Sequence, residues 1–416
     1  MPLDVPALRM QFPALQGDSI FFDNPGGTQV PQIVIDRVSA YYKEANANHG
    51  GAFSTSQKSD AIIDEARRAL ADLLNASRPE EIVFGPNMTS LTLALSRSLA
   101  HEIQAGDEII VTRLDHDANI SPWMQIAEAR GATLHWLDFD IEDCTLLQDQ
   151  FDKYLNQRTR LVAVGYASNA VGTINPVKSM IAKAKAAGAL TFIDAVQYAP
   201  HGPIDVQDLE CDFLAVSAYK FFGPHIGVLY GKYEHLERLK PYKVRPAPDE
   251  PPGKFETGTQ NHEGIAGTLG AVEYLAAIGE RYGSEAGSYE SRFKGRPLLL
   301  KRALHAIQSH EVALSQALIE TLQAVPGLHI WGQTGIQMLD QRVPTLSFTM
   351  ENYAPRLIAE RLAQAGINAW NGNYYAVAVT ERLGLEGSGG MLRVGLVHYN
   401  TLEEIERLGQ ALHNLR

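Results

Sequence analysis

The chain has only two cysteines in 416 residues, Cys144 and Cys211. Two thiols cannot build a disulfide framework, and a zinc site made of cysteines is excluded by count. Basic charge is also short: 36 Lys and Arg stand against 48 Asp and Glu, a net charge of −12. There is no basic stripe of the kind a nucleic-acid surface needs, so nucleic acid is not an expected partner. An anionic small molecule needs only a local pocket of donors and stays open. Long apolar runs are missing too. The least polar stretch, Leu161 to Val177, is broken by Ser168, Asn169, Gly172 and Thr173 and is no membrane span. The opening MPLDVPALRMQF carries an early Asp4 and no basic segment before an apolar run, so it does not read as a signal peptide. The expectation is a soluble, cytoplasmic protein of a reducing compartment, with neither membrane nor nucleic acid as partner.

What is present is ordinary for a globular enzyme: 45% hydrophobic and 20% charged residues. The length exceeds what one core usually supports, which predicts two domains. EIVF, EIIVT, TLHWLDF, RLVAVGY, LTFID, FLAVS and GVLYG read as strands. TSLTLALSRSLAHEI, SPWMQIAEAR and PVKSMIAKAKAAG between them carry apolar residues at helical spacing, the last with Asn175 as N-cap and Pro176 as first helical residue. Strands separated by helices imply crossover connections, hence an α/β fold with a mostly parallel sheet covered on both faces. The pattern changes near residue 280: a polar helical stretch from Ser284 to Ala324 precedes TLSFTM, PRLIAERLAQAG, MLRVGLV and TLEEIERLGQALHNL, a smaller α+β unit. The predicted division is a large domain over 21–281 and a small one over 282–416, with residues 1–20 packed on the latter. The Pro-rich RPAPDEPPGK (Arg245 to Lys254) reads as a loop.

Four segments fall at or just after strand ends, where open α/β sheets place ligands. They are LDHDANISPW (His116, Asn119), YASNAVGT (Asn169), FIDAVQYAPHGPIDV (Asp194, Gln197) and VSAYKFFGPHIGVLYG (Ser217, Lys220). An Asp and a Lys on neighbouring strand ends suit pyridoxal 5′-phosphate (PLP). That cofactor needs an amine for a Schiff base and an acid that keeps its ring nitrogen protonated. Each residue alone is weak evidence, since a lysine after a strand is ordinarily solvated surface and an Asp there ordinarily caps a turn. Their ordered combination is stronger. GPNMTS (Gly85 to Ser90), opening a helix, offers Met88 and Thr89 as phosphate donors with Ser217 as another, although an ordinary helix cap would use the same residues.

DHDAN, SNAVGT, IDAVQ, SAYKFFGP with IGVLYG, FETGTQN, and MLRVGL followed by HYNTLEEIERL resemble the serial motifs of the cysteine desulfurases of the class V aminotransferase superfamily, in the group that includes selenocysteine lyases. The resemblance runs from FFDNPGGTQVPQ to the last helix. It implies PLP fold type I, with a mixed, mostly parallel seven-stranded sheet in the large domain. It implies Lys220 as the Schiff-base lysine, Asp194 as the ring-nitrogen partner, Gln197 and Asn169 on the cofactor's phenolic oxygen or the substrate, and His116 stacked on the ring and able to move protons. Tyr219, beside the lysine, joins the cofactor site. Arg393 would fork onto a substrate carboxylate, and Asn24 and His49 would lie on loops over the substrate. Thr259 would reach the partner's phosphate in a homodimer. Metal binding is not expected: Asp115, His116 and Asp117 are consecutive and do not readily converge on one ion.

The pattern departs from the family at Tyr219, which precedes the lysine where desulfurases often have histidine, and in one loop. The desulfurase cysteine lies in an R-x-G-H-H-C-A type segment, where this chain reads AWNGNYYAVAV, with Trp370 at the arginine position and Tyr375 at the cysteine position. A thiolate is the nucleophile that accepts sulfur, and a phenol cannot replace it. Three readings follow: a lyase cleaving a β-carbon–sulfur type bond without a persulfide, with Tyr375 in a catalytic position; an aminotransferase or epimerase on the same scaffold; or a catalytically retired homologue that binds partners.

Overall fold

The structure is a computed structural model, and it describes residues 2–283 and 289–415. Seven strands form the large sheet, in the spatial order Ile82–Gly85, Gly227–Gly231, Phe213–Ser217, Leu190–Asp194, Thr159–Gly165, Glu108–Thr112, Thr133–Leu137. Only Gly227–Gly231 runs against its neighbours; the other pairings are parallel. Six C-terminal strand ends therefore share one edge. The five central strands are buried almost throughout, as expected of a sheet covered on both faces. Helices such as Met88–Leu99, Ser121–Arg130 and Val177–Ala186 make the crossovers.

The expected cap on the last of these is absent. Asn175 is buried, and its side-chain amide donates to the Gly165 carbonyl at 2.8 Å. Pro176 takes the N-cap position without a side-chain bond. The end of the Gly165 strand claims the asparagine, and the proline's fixed φ starts the helix unaided.

The C-terminal part builds a four-stranded antiparallel sheet in the order Trp370–Gly372, Met391–Gly395, Thr345–Met350, Leu328–Trp331. It is covered by Pro355–Gln364 and by Leu402–His413, whose Thr401 and Glu404 form a reciprocal capping box. The helical pattern expected from Ser284 is realised as Gly295–Gln323, residues 284–288 lying outside the described residues. Its Leu300, Ala303, Leu304 and Ile307 pack in the core beside the large sheet, whereas Leu314, Leu318, Ile319 and Leu322 pack in the smaller one.

The N-terminal segment touches both units. Leu8, Phe12 and Leu15 join the larger core, while Ile20 and Phe22 join the smaller. Arg9 pairs with Glu404 at 2.9 Å. Among the described residues no helix is long and apolar enough to cross a membrane.

Candidate active site

A cavity of about 1100 Å³ opens where the strand ends meet the smaller sheet. Met88, Thr89, His116, Asn169, Asp194, Gln197, Ser217, Tyr219, Lys220, Tyr375 and Arg393 all line it. Lys220 closes a short 3-10 turn after Phe213–Ser217. Its amine donates to the Pro25 carbonyl and lies 4.9 Å from the Tyr219 ring centre. Burial and the Arg393 charge pull it down to about 7, with Asp194 opposing. A deprotonated fraction is therefore present at neutral pH, as a nucleophilic amine requires.

Asp194 ends its strand as a buried carboxyl, accepting from the Val196 amide at 3.0 Å; burial pushes it up to about 6, against the pull of Val196 and Lys220. Beside it lies Asp115, which sequence reasoning passed over. Its two oxygens accept from the Gly165 amide at 2.8 Å and the Asn119 side chain at 2.9 Å. Burial, with Asp194 as a like-charged neighbour, pushes Asp115 well above the usual range. Trp123 settles the orientation of Asn119. An indole N–H can only donate, and it donates to Asn119 Oδ1 at 3.1 Å, which leaves the Asn119 amino group for Asp115.

His116 Nδ1 accepts the Ala118 amide at 3.0 Å, so in the neutral ring the proton sits on Nε2. Burial and the cations Lys220 and Arg393 pull it down to about 4, which makes it neutral at physiological pH. Tyr375 stacks on this imidazole at 5.6 Å and 18°, and the Asp117 amide holds the Tyr375 carbonyl at 2.7 Å. Tyr374 and Tyr375 both sit in the left-handed region, with φ of 57° and 58°. That conformation costs a non-glycine residue roughly 1–2 kcal/mol, so the loop after Trp370–Gly372 is strained at the cavity.

Three expected residues are placed elsewhere. Asn24 is buried away from the cavity lining. Its amide donates to the carbonyls of Phe21 at 2.7 Å and Gly395 at 2.9 Å, and its oxygen accepts from Tyr399. With its hydrogen-bonding groups engaged by the protein, it pins the N-terminal loop rather than facing a ligand. His49 and Thr259 are exposed and do not line this chain's cavity.

The residues present fit PLP. The helix Met88–Leu99 begins at the cavity, and Asn87 caps only the Ser90 amide, at 2.8 Å. The Met88 and Thr89 amides, with the Thr89 and Ser217 hydroxyls, can then serve a phosphate. Asn169 Oδ1 and Gln197 Oε1 are buried without a hydrogen-bond partner among the described residues, which marks a place for a polar ligand. Gln197 meets Thr345 Oγ1 at 2.9 Å. A hydroxyl can donate or accept, so the amide can turn either end to the cavity.

The Aminotransferase class-V family matches residues 20–286 and 298–408. The chain belongs to this family. Within the class V aminotransferases, a cysteine desulfurase of Pectobacterium atrosepticum is 33% identical over 435 residues, covering 100% of this chain and 98% of that protein. A cysteine desulfurase of Synechococcus elongatus is 34% identical across 99% of this chain, which spans 64% of that longer protein. An aminotransferase-like protein of Gibberella zeae is 36% identical, over 97% of this chain and 96% of that one. Among solved structures, the apo cysteine desulfurase of Thermococcus onnurineus superposes with a TM-score of 0.88 at 27% identity, covering 100% and 98% of the two chains. These matches place the chain in a PLP-dependent, cysteine desulfurase-like enzyme family, and the fold type I architecture agrees.

The thiols stand apart from the cavity. Cys144 and Cys211 are both fully buried and free, and neither is among its lining residues. Burial pushes Cys144 up to about 12, and Cys211 also moves up.

Proposed function

We propose that this class V aminotransferase chain binds PLP and acts on an amino acid as a lyase, cleaving a bond from the β-carbon to sulfur or a similar leaving atom without a persulfide cysteine. One observation carries the reading: Lys220, Asp194, His116 and Arg393 line a single cavity that has no thiol among its lining residues. When bound, PLP supplies an electron sink for negative charge developing at the substrate α-carbon.

The chain's residues supply the rest. Lys220 offers the amine that holds the cofactor and can move a proton at the α-carbon. Asp194 holds a proton at the ring nitrogen. Met88, Thr89 and Ser217 hold the phosphate, and Gln197, Asn169 and Tyr219 bind around the ring. His116 would stack on the cofactor's ring, and Arg393 would take the α-carboxylate. Tyr375, stacked on His116, presents a hydroxyl toward the substrate's side chain. In the lyase reaction the α-proton would pass to Lys220 and a Cα–Cβ double bond would form as the β-carbon–sulfur bond breaks. The sulfur would leave with the bonding pair and a proton as thiol or sulfide, and the released aminoacrylate would take up water to give pyruvate and ammonia.

An aminotransferase or epimerase built on the same residues is the second reading, favoured by the 36% identity to the aminotransferase-like protein of Gibberella zeae. A retired binding protein has no reason to keep Lys220, Asp194, Gln197, His116 and Arg393 together. Thr259, exposed and outside its own chain's cavity, suits a homodimer in which it serves the partner's phosphate site, in a protein we assign to the cytoplasm. A native mass of one chain would contradict that arrangement.

The test is a panel of amino acids added to the purified holoenzyme while the cofactor spectrum and products are followed. Pyruvate and ammonia with released sulfide or thiol support the lyase, whereas alanine with sulfur passed to a thiol acceptor indicates desulfuration. A keto acid that keeps its side chain indicates transamination, and an inverted amino acid indicates epimerisation. Borohydride should fix the cofactor on Lys220; an adduct on another lysine, or none, removes the assignment. Asp194→Asn should retain cofactor and lose most turnover, and wild-type rates would take Asp194 out of its role.

A further inference from the structure

The strained loop after Trp370–Gly372 places Tyr374 as well as Tyr375. The Asn169 side chain donates to the Tyr374 carbonyl at 3.0 Å, and the Tyr374 hydroxyl donates to the Met391 carbonyl. Backbone and ring tip are thus both tied. The half-buried ring lies under Arg393, with the guanidinium carbon 4.2 Å from the ring centre. Arg393 makes one further bond, to the Asn169 carbonyl at 2.7 Å. Its Nε is buried with no hydrogen-bond partner among the described residues.

A carboxylate beneath this guanidinium would neutralise it and compete with an incoming anion. An aromatic face attracts the cation through its quadrupole while leaving the charge and the N–H edge available. The neighbouring Asp23 carboxyl is pushed up by burial and pulled back by the Arg393 charge, and its Oδ1 has no hydrogen-bond partner among the described residues, so it makes no fork with the guanidinium through that oxygen. We infer that Tyr374 is the positioning residue for the substrate's α-carboxylate, its ring being the platform that fixes the Arg393 fork and makes the site prefer amino acids to simple amines. The inference rests on the amino-acid reading above and adds to it the residue that sets carboxylate selectivity. In the family pattern a histidine stands at this position, so the platform is a property of this chain's own sequence.

The experiment compares L-alanine with ethylamine, which is the same amine without the carboxylate. Their dissociation constants are read from the visible spectrum of the holoenzyme. Tyr374→Leu should weaken L-alanine about 30-fold, or about 2 kcal/mol at 1.36 kcal/mol per decade, and leave ethylamine within about threefold. Tyr374→Phe should keep the alanine preference, because the ring and not the hydroxyl provides the platform. Should the leucine variant be insoluble, Tyr374→Met against Tyr374→Phe poses the same comparison. Equal weakening of both ligands would show a merely structural role and overturn the inference. So would an unchanged alanine constant, or a phenylalanine variant as impaired as the leucine one. A wild-type protein that binds none of the amino acids removes the underlying reading, and the platform with it.

Discussion

Replacing both cysteines with alanine tests the chemistry most directly. With the Cys144 thiol pushed up to about 12, its thiolate fraction at pH 7 is about one in 10⁵, against a few per cent for an ordinary exposed cysteine. Cys211 is driven the same way by complete burial beside Asp212. Each side chain behaves as a small core hydrophobe, and deleting its sulfur should cost roughly 1 kcal/mol of stability. The double variant should therefore fold, bind cofactor and turn over its best amino-acid substrate at nearly the wild-type rate. The assay runs wild type and variant side by side, measuring released sulfide or thiol and alkylating the protein to trap any persulfide for peptide mapping. A persulfide trapped on Cys144 or Cys211, with activity lost in the matching single variant, would restore desulfurase chemistry and refute this reasoning.

Three further outcomes follow from the geometry. Lys220 is pulled down to about 7, so between there and its ordinary value near 10.4 the unfolded apo chain binds more protons than the folded one. The Lys220 contribution therefore makes stability rise with pH across that window; Lys220→Ala should flatten the alkaline limb of an apo-protein melting series, and an unchanged limb would contradict the burial argument. A Cβ on Gly165 would lie 2.5 Å from Asp115 Oδ1, so Gly165→Ala should destabilise by about 1–3 kcal/mol in chemical denaturation, and a neutral result would mean Asp115 moves freely. Asn24→Ala should lower stability by roughly 1–3 kcal/mol, since it strands buried carbonyls, with the amino-acid KM unchanged; a raised KM at full stability would return Asn24 to the substrate.

The large sheet was legible because its strands are short apolar runs separated by helical periods. All seven of those runs are strands in the structure, to within two residues at their ends. The ligand edge followed from strand direction, and with it Lys220, Asp194 and His116. Contacts made across the chain were not legible. Asn24 sits in a loop that reads as substrate-facing, yet its partners are Gly395 and Tyr399, about 370 positions away. Asp115 reads as a flank of His116 until Gly165 and Asn119 are seen to hold it. Tyr374 carries no signal of its own, since the positive φ and the arginine above its ring arise only when Trp370–Gly372 pairs with Met391–Gly395. Edge strands such as Ile20–Phe21 and Trp370–Gly372 are too short to show a period.

The helix Gly295–Gln323 bears on how the molecule can be divided. Its first half belongs to one core and its second half to the other, so it acts as a shared axle rather than a tether. A fragment ending near residue 281 would lose the side chains of Leu300, Leu304 and Ile307 that fill its own interior, and the remainder would carry them as an exposed apolar stripe. Separate expression of the two units should therefore yield two insoluble pieces. Embedded in both cores, the helix joins the unit that carries Arg393 and the Tyr374 loop to the unit that carries Lys220.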